Sequence, residues 1–238
     1  MSALSTLTLA AALLGPLQTK PAQAAIAFDA ASLPTKAART AAFVPTGWLL
    51  ERQISGDLNG DKRADPVLVL VERPSPTAPE ARRERAVVVL LADAAGQLQR
   101  VAASGQLLYG IGGPDLLISS DKMPDVKVEK GALVVRHISG TEQNLELTHR
   151  FSYDTGTNKM RLVGEEQIRS NRQTLDTTIK STDYLTGKQR SERVYRDPAD
   201  PAGQRQLTSR KDVTLPKTAK RYLEDVDVRK ATLESGVK

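Results

Sequence analysis

The chain has 238 residues, of which 39% are hydrophobic and 26% charged, a balance typical of a folded protein and different from that of an intrinsically disordered one. Cysteine is absent, which excludes disulfides, thiol catalysis and cysteine-bound metals. The formal net charge is +6, but Lys and Arg alternate with Asp and Glu and only 4% of residues are aromatic, so we expect no nucleic-acid binding.

The N-terminus has the pattern of a signal peptide. An apolar run covers residues 4–17, and Ala22-Gln23-Ala24 has the small-x-small form that a signal peptidase cleaves. We therefore expect residues 1–24 to be a signal peptide and the protein to be periplasmic or secreted. A disordered or helical N-terminal arm is the other interpretation. The apolar run is too short to span a membrane, and no later stretch is long enough.

Residues 25–45 are rich in alanine and contain two prolines, so we expect a linker or a short helix before a β domain at residues 46–196. Two apolar runs of strand length follow, residues 67–71 and 86–91, with a proline-containing loop between them. Continuous apolar runs are typical of strands that are buried on both faces. We expect these two to form an antiparallel pair at the centre of a sheet.

From residue 126 onward, turn signals recur about every ten to fifteen residues, the spacing of an antiparallel meander. The stretch from Leu145 to Tyr153 alternates Leu, His, Phe and Tyr with polar residues, as a half-buried strand does. The predicted fold is mainly β, an antiparallel meander that forms an open curled sheet or a sandwich, with minor helix at the termini. Residues 197–238 are predicted as a charged C-terminal extension, in which residues 207–215 add an edge strand and residues 217–233 form a weak, exposed helix.

An aspartate-rich loop precedes the first apolar run. Oxygen-bearing side chains recur at relative positions 1, 3, 5 and 9 of this loop, and position 7 offers a backbone carbonyl. This spacing curls a short backbone around one hard cation. The predicted calcium ligands are Asp57, Asn59, Asp61, the carbonyl of Arg63, and Asp65.

The loop is not an EF-hand, because position 12 is Leu68 rather than Glu and a strand follows it instead of a helix. It resembles the calcium loops of FG-GAP and VCBS-like repeats, in which Gly-Asp-x-Asn-Gly-Asp-Gly-x-x-Asp runs into an apolar strand. Lys62 departs from the pattern, because the family has Gly there. Short matches elsewhere, including Gly112-Gly113-Pro114 and the segment 184–188, resemble exported bacterial proteins that carry a single loop of this type. The resemblance covers roughly residues 45–195 and implies a structural calcium site on a β domain, with no chemistry.

Two interpretations of the loop stay open. In the first, calcium occupies it and supports folding. In the second, the loop is an Asx-rich turn held by hydrogen bonds from its own backbone, without metal. Lys62 weakens the first interpretation, since an ammonium beside the ion opposes binding and a left-handed backbone is costly for Lys.

No catalytic constellation is visible in the sequence. The two histidines, His137 and His149, fall in predicted strands, and no Gly-x-Ser-x-Gly motif or zinc-ligand spacing is present. Glu165 and Glu166 are adjacent on a predicted strand and therefore point to opposite faces.

The sequence thus predicts a non-catalytic module with no catalytic residues. It does not identify the ligand, for which a cell-envelope protein and a glycan are the candidates. The alternative is a hydrolase that acts on polysaccharide or peptidoglycan with carboxylates that only the fold brings together.

Overall fold

The computed structural model describes residues 27–112, 125–140, 142–200, 205–216 and 219–234. The predicted signal peptide at residues 1–24 lies outside the described residues. Within the described segments the chain forms twelve β-strands, three short 3-10 helices and one α-helix. All the strand pairings are antiparallel, and the strands form two sheets. The predicted mainly-β antiparallel fold is confirmed.

The first sheet has five strands in the order β1-β5-β4-β3-β2. The two apolar runs predicted to pair are β3 and β4, and they do pair, with Val67 opposite Val89, next to each other inside the sheet. The strands are β1 (Lys36–Ala37), β2 (Trp48–Gly56), β3 (Asp65–Glu72), β4 (Arg85–Ala92) and β5 (Leu98–Ser104).

The second sheet has seven strands that follow each other in chain order, which is the predicted meander. Lys130 and Gly131 form a two-residue turn in which both residues have a positive φ, 51° and 76°. That is the geometry of the type I′ turn, whose twist matches the flanking strands. The strands are β6 (Asp125–Glu129), β7 (Ala132–Ser139), β8 (Gln143–Asp154), β9 (Lys159–Asn171), β10 (Thr177–Asp183), β11 (Lys188–Arg196) and β12 (Gln206–Thr214).

The main hydrophobic core lies between the sheets. Val67 and Val89 of the first sheet and Val135, Phe151 and Leu162 of the second are all buried in it. The alternation predicted for β8 is confirmed, because Leu145, Leu147, His149 and Phe151 are all buried. The strands β6 to β9 therefore place one set of alternate side chains in the core and the other set on the outer face.

The opposite face of the first sheet is covered by the segment expected to be a linker. Leu33 and Phe43 are buried against Leu68 and Leu70, and β1 pairs with β5 at the edge of the sheet. The 3-10 helices Ala30–Ser32 and Thr40–Phe43 shape this cover. Residues 27–45 are thus part of the core, because strands that are apolar on both faces need a second layer over them.

The C-terminal region is also more integrated than an extension. The predicted edge strand is confirmed as β12, which pairs with β11 over its whole length. The helical structure is shorter than predicted: a 3-10 turn at Leu223–Asp225 and α1 (Val228–Glu234). Leu223, Val226 and Val228 are buried, because they close one end of the space between the sheets. No helix among the described residues is long and apolar enough to cross a membrane.

The strands β10 to β12 extend past the sandwich. Among the described residues, the buried cluster between the sheets takes side chains from β6 to β9 and none from these three strands. Their side chains are mostly half-buried or exposed on both faces. The second sheet therefore carries a polar wing whose two faces are both accessible.

Candidate functional site

The aspartate loop, residues 57–65, joins β2 to β3 at one end of the first sheet. Asp57 organises its first half. One carboxylate oxygen accepts a hydrogen bond from the backbone N–H of Gly60 at 2.6 Å, and the other accepts one from Lys62 at 2.9 Å. These bonds hold the backbone in a tight curl, as aspartate side chains do in Asx turns.

Asp61 organises the second half of the loop. Its carboxylate accepts a hydrogen bond from the Arg63 backbone at 2.9 Å and one from the Asn59 amide at 2.9 Å. The Arg63 guanidinium lies 2.5 Å from the same carboxylate. The bond from the Arg63 backbone and then that from Asn59 hold the pKa of Asp61 below its ordinary value.

Asp65 connects the loop to the sheet. Its side chain is fully buried and accepts hydrogen bonds from the backbone of Leu58 at 2.8 Å and of Ala92 at 2.9 Å. Arg63 donates to the carbonyl of Ala92 at 3.1 Å. Ala92 is the last residue of β4, and β3 pairs with β4 only as far as Val89. The side chains of Asp65 and Arg63 therefore bind the backbone N–H and C=O of Ala92, which β3 does not reach. Burial raises the pKa of Asp65 above its ordinary value.

The structure thus brings the five predicted ligands together, but it arranges them around N–H donors. Both carboxylate oxygens of Asp57, Asp61 and Asp65 accept hydrogen bonds, and a guanidinium already lies against Asp61. Within the described segments, no group of three or more His, Asp or Glu side chains is disposed to hold a metal ion. These hydrogen bonds are those of the hydrogen-bonded turn. Calcium at the loop stays a prediction.

Lys62 adopts the left-handed conformation that the family pattern assigns to glycine, with φ at 68°. The same loop places Gly60 at φ 84°. A left-handed backbone is unfavourable for a side chain with a Cβ, so Lys62 is a strained position. The strain is offset by the bond from the Lys62 N–H to Asp57.

Both histidines lie on the inner face of the second sheet. His137 is opposite Leu147, and its Nε2 lies 2.9 Å from the carbonyl of Leu107. His149 is buried, with its Nε2 3.7 Å from a carboxylate oxygen of Glu165. Burial, with a smaller effect of neighbouring positive charge, lowers the pKa of His137 to about 3 and that of His149 to about 4. Both are neutral near pH 7, as structural histidines in a core are.

A groove of about 680 Å³ lies on the outer face of the second sheet. Two parallel rows of residues form the groove, and within each row the residues are direct neighbours on adjacent strands. In the first row, Glu166 pairs with Ser181, Ser181 with Arg190, and Arg190 with Asp212. The second row contains Arg150, Gly164, Asp183, Lys188 and Thr214. We refer to the space above these two rows as the groove.

The charges of the groove balance. Arg150, Lys188 and Arg190 are cationic, and Glu166, Asp183 and Asp212 on the same face are acidic. Arg190 donates to Asp212 at 3.0 Å, and Ser181 donates to Glu166 at 2.9 Å. A lining of this kind offers both donors and acceptors and has no net attraction for a polyanion.

The two aspartates of the groove are held in their charged form. Burial by itself would raise the pKa of Asp183, but hydrogen bonds from Thr186 and Leu185 outweigh it and lower the pKa. Hydrogen bonds from Arg190 and Arg210 lower the pKa of Asp212. A carboxyl that acts as a general acid needs a raised pKa, so neither aspartate is suited to that role.

Glu165 and Glu166 point to opposite faces, as the sequence predicts. Glu166 faces the groove, while Glu165 accepts a hydrogen bond from the Tyr184 hydroxyl at 3.3 Å on the inner side. The groove as a whole was not predicted. Its residues come from five different strands, β8 to β12, and the only sequence signal for a shared face is the alternation of side chains along each strand.

Comparison with protein-family models, with curated proteins and with solved structures finds no match for this chain.

Proposed function

We propose that this chain is an exported, non-catalytic β module that binds a polar ligand in the groove of the second sheet. The observation that carries the proposal is the groove itself, a cavity of about 680 Å³ that crosses β8 to β12 on the outer face of the second sheet. Export is supported by the N-terminal apolar run and its small-x-small end. The location that follows is the periplasm or the cell exterior.

The composition of the groove defines the chemistry of the ligand. Its charged side chains alternate in sign along each row, and the described residues that line it include no aromatic side chain on which a sugar ring or a base would stack. An extended peptide segment that carries both signs of charge matches this lining, because each of its charged side chains finds a group of the opposite sign in one of the rows. The proposed partner is therefore a cell-envelope protein, which contributes such a segment.

Gly164 provides a test, because it lies in the floor of the groove and has no side chain. A Cβ at this position would lie 3.7 Å from the Arg150 side chain, an ordinary contact distance. Gly164→Ala is thus the matched control, while Gly164→Leu fills the groove. Oligopeptides with a repeating Lys-Ser-Glu-Ser sequence, which present both signs of charge on one face when extended, and soluble muropeptides as the glycan arm, are titrated into the ¹⁵N-labelled protein.

The proposal predicts that the peptides shift amide signals of β9 to β12, that Gly164→Leu abolishes the shifts, and that Gly164→Ala retains them. Shifts with muropeptides alone would replace the protein partner with a glycan. Identical peptide binding by both variants would place the binding surface elsewhere and refute the role of the groove.

A hydrolase is the second candidate, and one observation favours it. Glu166 and Asp183 are diagonal neighbours on the same face of β9 and β10, which places their backbones about 7–8 Å apart. Glycosidases hold their two carboxyl groups roughly 5–9.5 Å apart. The lowered pKa of Asp183 suits the carboxylate of such a pair, the base or nucleophile.

Release of reducing ends from peptidoglycan tests this alternative. A hydrolase requires that Glu166→Gln and Asp183→Asn each abolish the release. Glu192→Gln, on the same face but outside the groove, is the control. No release by the unmodified protein at high concentration favours the binding module.

In this proposal the aspartate loop is a structural element. Its hydrogen bonds to Ala92 fasten the β2–β3 connection to the end of β4. Calorimetry with calcium and with chelator tests the calcium prediction. A rise in Tm with calcium that Asp57→Ala with Asp61→Ala abolishes would establish the ion. An unchanged Tm would assign the loop to its hydrogen bonds alone.

A further inference from the structure

A second cavity, of about 360 Å³, lies where β9 changes its neighbour. Beyond residue 164, β9 pairs with β10, whereas at Arg161 and Leu162 it contacts the C-terminal segment through Tyr222 and Arg221. The turn between β10 and β11 forms the other wall. We name this space the seam pocket.

The seam pocket is cationic, unlike the balanced groove. Its lining includes Arg161, Lys220 and Arg221, and no Asp or Glu among the described residues that line it. Lys220 is paired with Asp154 at 2.7 Å, and the Arg221 guanidinium lies 5.9 Å from the ring centre of Tyr184. The net charge that faces the cavity is therefore positive.

Arg161 is the key group in this pocket. Its Nε is buried and has no hydrogen-bond partner among the described residues. A buried charged donor without an acceptor is costly, and an anion that accepts its hydrogen bond removes that cost. Nε is one of the donors in the planar guanidinium fork that binds two oxygens of a phosphate or a carboxylate together.

The remaining walls are apolar. Leu162, Leu215 and Pro216 line the cavity, and Leu185 at the turn is 62% exposed. Apolar walls lower the local dielectric constant and strengthen the attraction between an arginine and an anion. An exposed leucine beside a cationic cavity suits a ligand whose oxyanion is carried on an apolar body.

We propose that the seam pocket binds an oxyanion of the phosphate type through Arg161, with Arg221 and Lys220 supplying further positive charge. The site is separate from the groove and does not depend on what the groove binds. The oxyanion is either a soluble phosphate or the headgroup of an anionic lipid, since both present the same oxygens to the guanidinium.

The test is calorimetric titration of the full-length mature protein with inorganic phosphate, and sedimentation with vesicles that contain phosphatidylglycerol. Saturable binding in either arm is expected, and the arm that responds identifies the source. Arg161→Met should weaken binding tenfold or more, since hydrogen bonds to charged groups are among the strongest in proteins. Arg169→Met, which removes an exposed arginine of β9 outside both cavities, is the matched control and should leave binding unchanged.

Leu185 gives a second test that leaves the core intact, because its side chain is exposed. Leu185→Glu should weaken the binding of phosphate or of the vesicles, and Leu185→Lys should strengthen it, each by roughly threefold or more. Absence of saturable binding in both arms would overturn the proposal. So would binding that neither Arg161→Met nor the two Leu185 variants change. Failure of the groove variants to bind peptides has no bearing on this outcome.

Discussion

Asp65 shows how one side chain can serve two backbone segments. It is fully buried, yet both of its oxygens have N–H donors, one in the aspartate loop and one at the end of β4. Burial of a carboxylate is unfavourable unless hydrogen bonds replace the water that it loses. The raised pKa of Asp65 indicates that its two hydrogen bonds do not fully replace the lost water. Burial of Asp65 therefore costs some folding free energy, while its hydrogen bonds fix the position of the loop.

Asp65→Asn is expected to lower the free energy of unfolding by about 2–4 kcal/mol, because the amide NH₂ must face one of two buried N–H donors. Urea denaturation in the presence of chelator measures the loss. Asp57→Asn, in the more accessible half of the loop, is the control and should cost clearly less. Equal losses in the two variants would contradict the special role of Asp65.

Lys62→Gly is expected to leave the fold intact and to raise the free energy of unfolding by up to about 1 kcal/mol. Glycine relieves the left-handed backbone at φ 68°, although the greater freedom of glycine in the unfolded chain offsets part of the gain. Thermal unfolding measures the change. The same variant restores the family pattern, so an additional rise in Tm with calcium would show that Lys62 is what opposes the ion. A large loss of stability would mean that the lysine side chain has a contact that outweighs the strain.

At the scale of elements, the bulge in β2 aims a charged side chain at the interior. The register between β2 and β3 shifts between Leu50 and Arg52, and Glu51 there accepts two hydrogen bonds from Arg85, at 2.8 and 2.7 Å. Bulges commonly redirect a side chain in this way. Arg85 is only 1% exposed, so this bidentate pair fastens β2 to β4 across the intervening strand.

Glu51→Ala is expected to cost about 3–5 kcal/mol, because it removes the carboxylate from a buried guanidinium. Replacing both partners, as Glu51→Leu with Arg85→Met, should cost markedly less, since no buried charge is left. Urea denaturation of the single and double variants forms the cycle that measures the coupling. A double variant as unstable as the sum of the single ones would show that the pair is not coupled.

At the scale of the whole molecule, the buried histidines make stability depend on pH. Their pKa values are about 3 for His137 and about 4 for His149 in the folded protein, against an ordinary value of 6.5. The unfolded chain therefore binds more protons between pH 4 and 6.5. Stability is fully present above about pH 6.5 and falls as the pH decreases through this window.

The expected loss between pH 7 and pH 4 is on the order of 3 kcal/mol per histidine. The charged groups that face the histidines are Glu165 and Arg221 at His149, and Arg85 at His137. Burial is nevertheless the largest cause of the lowered pKa of both histidines. Tm measured across this range should fall, and His149→Gln should flatten the curve. A Tm independent of pH between 4.5 and 7 would contradict the burial of neutral histidines. Below about pH 4 the loss from His137 continues to about pH 3, and aspartates with a lowered pKa, such as Asp61 and Asp183, add to it.

The hydrophobic core includes residues on both sides of the domain boundaries expected from the sequence. The boundaries expected at residues 45 and 196 reflect composition, namely alanine before the domain and charge after it. The structure instead uses both flanking regions to close hydrophobic faces, through Phe43 at one end and Val228 at the other. A few apolar residues are enough for this, because each buries against a surface that other segments have already built.

The sequence by itself determined the strands, their antiparallel pairing at the centre of the first sheet and the curl of the aspartate loop. These features depend on local pattern: apolar runs, alternation and the spacing of aspartates around a short backbone. Only the tertiary structure decided that residues 27–45 cover the first sheet, and that Thr148 and Asp212 lie on one groove. Such juxtapositions depend on the register of successive strands. A shift of one residue in register would turn every side chain of a strand to the opposite face.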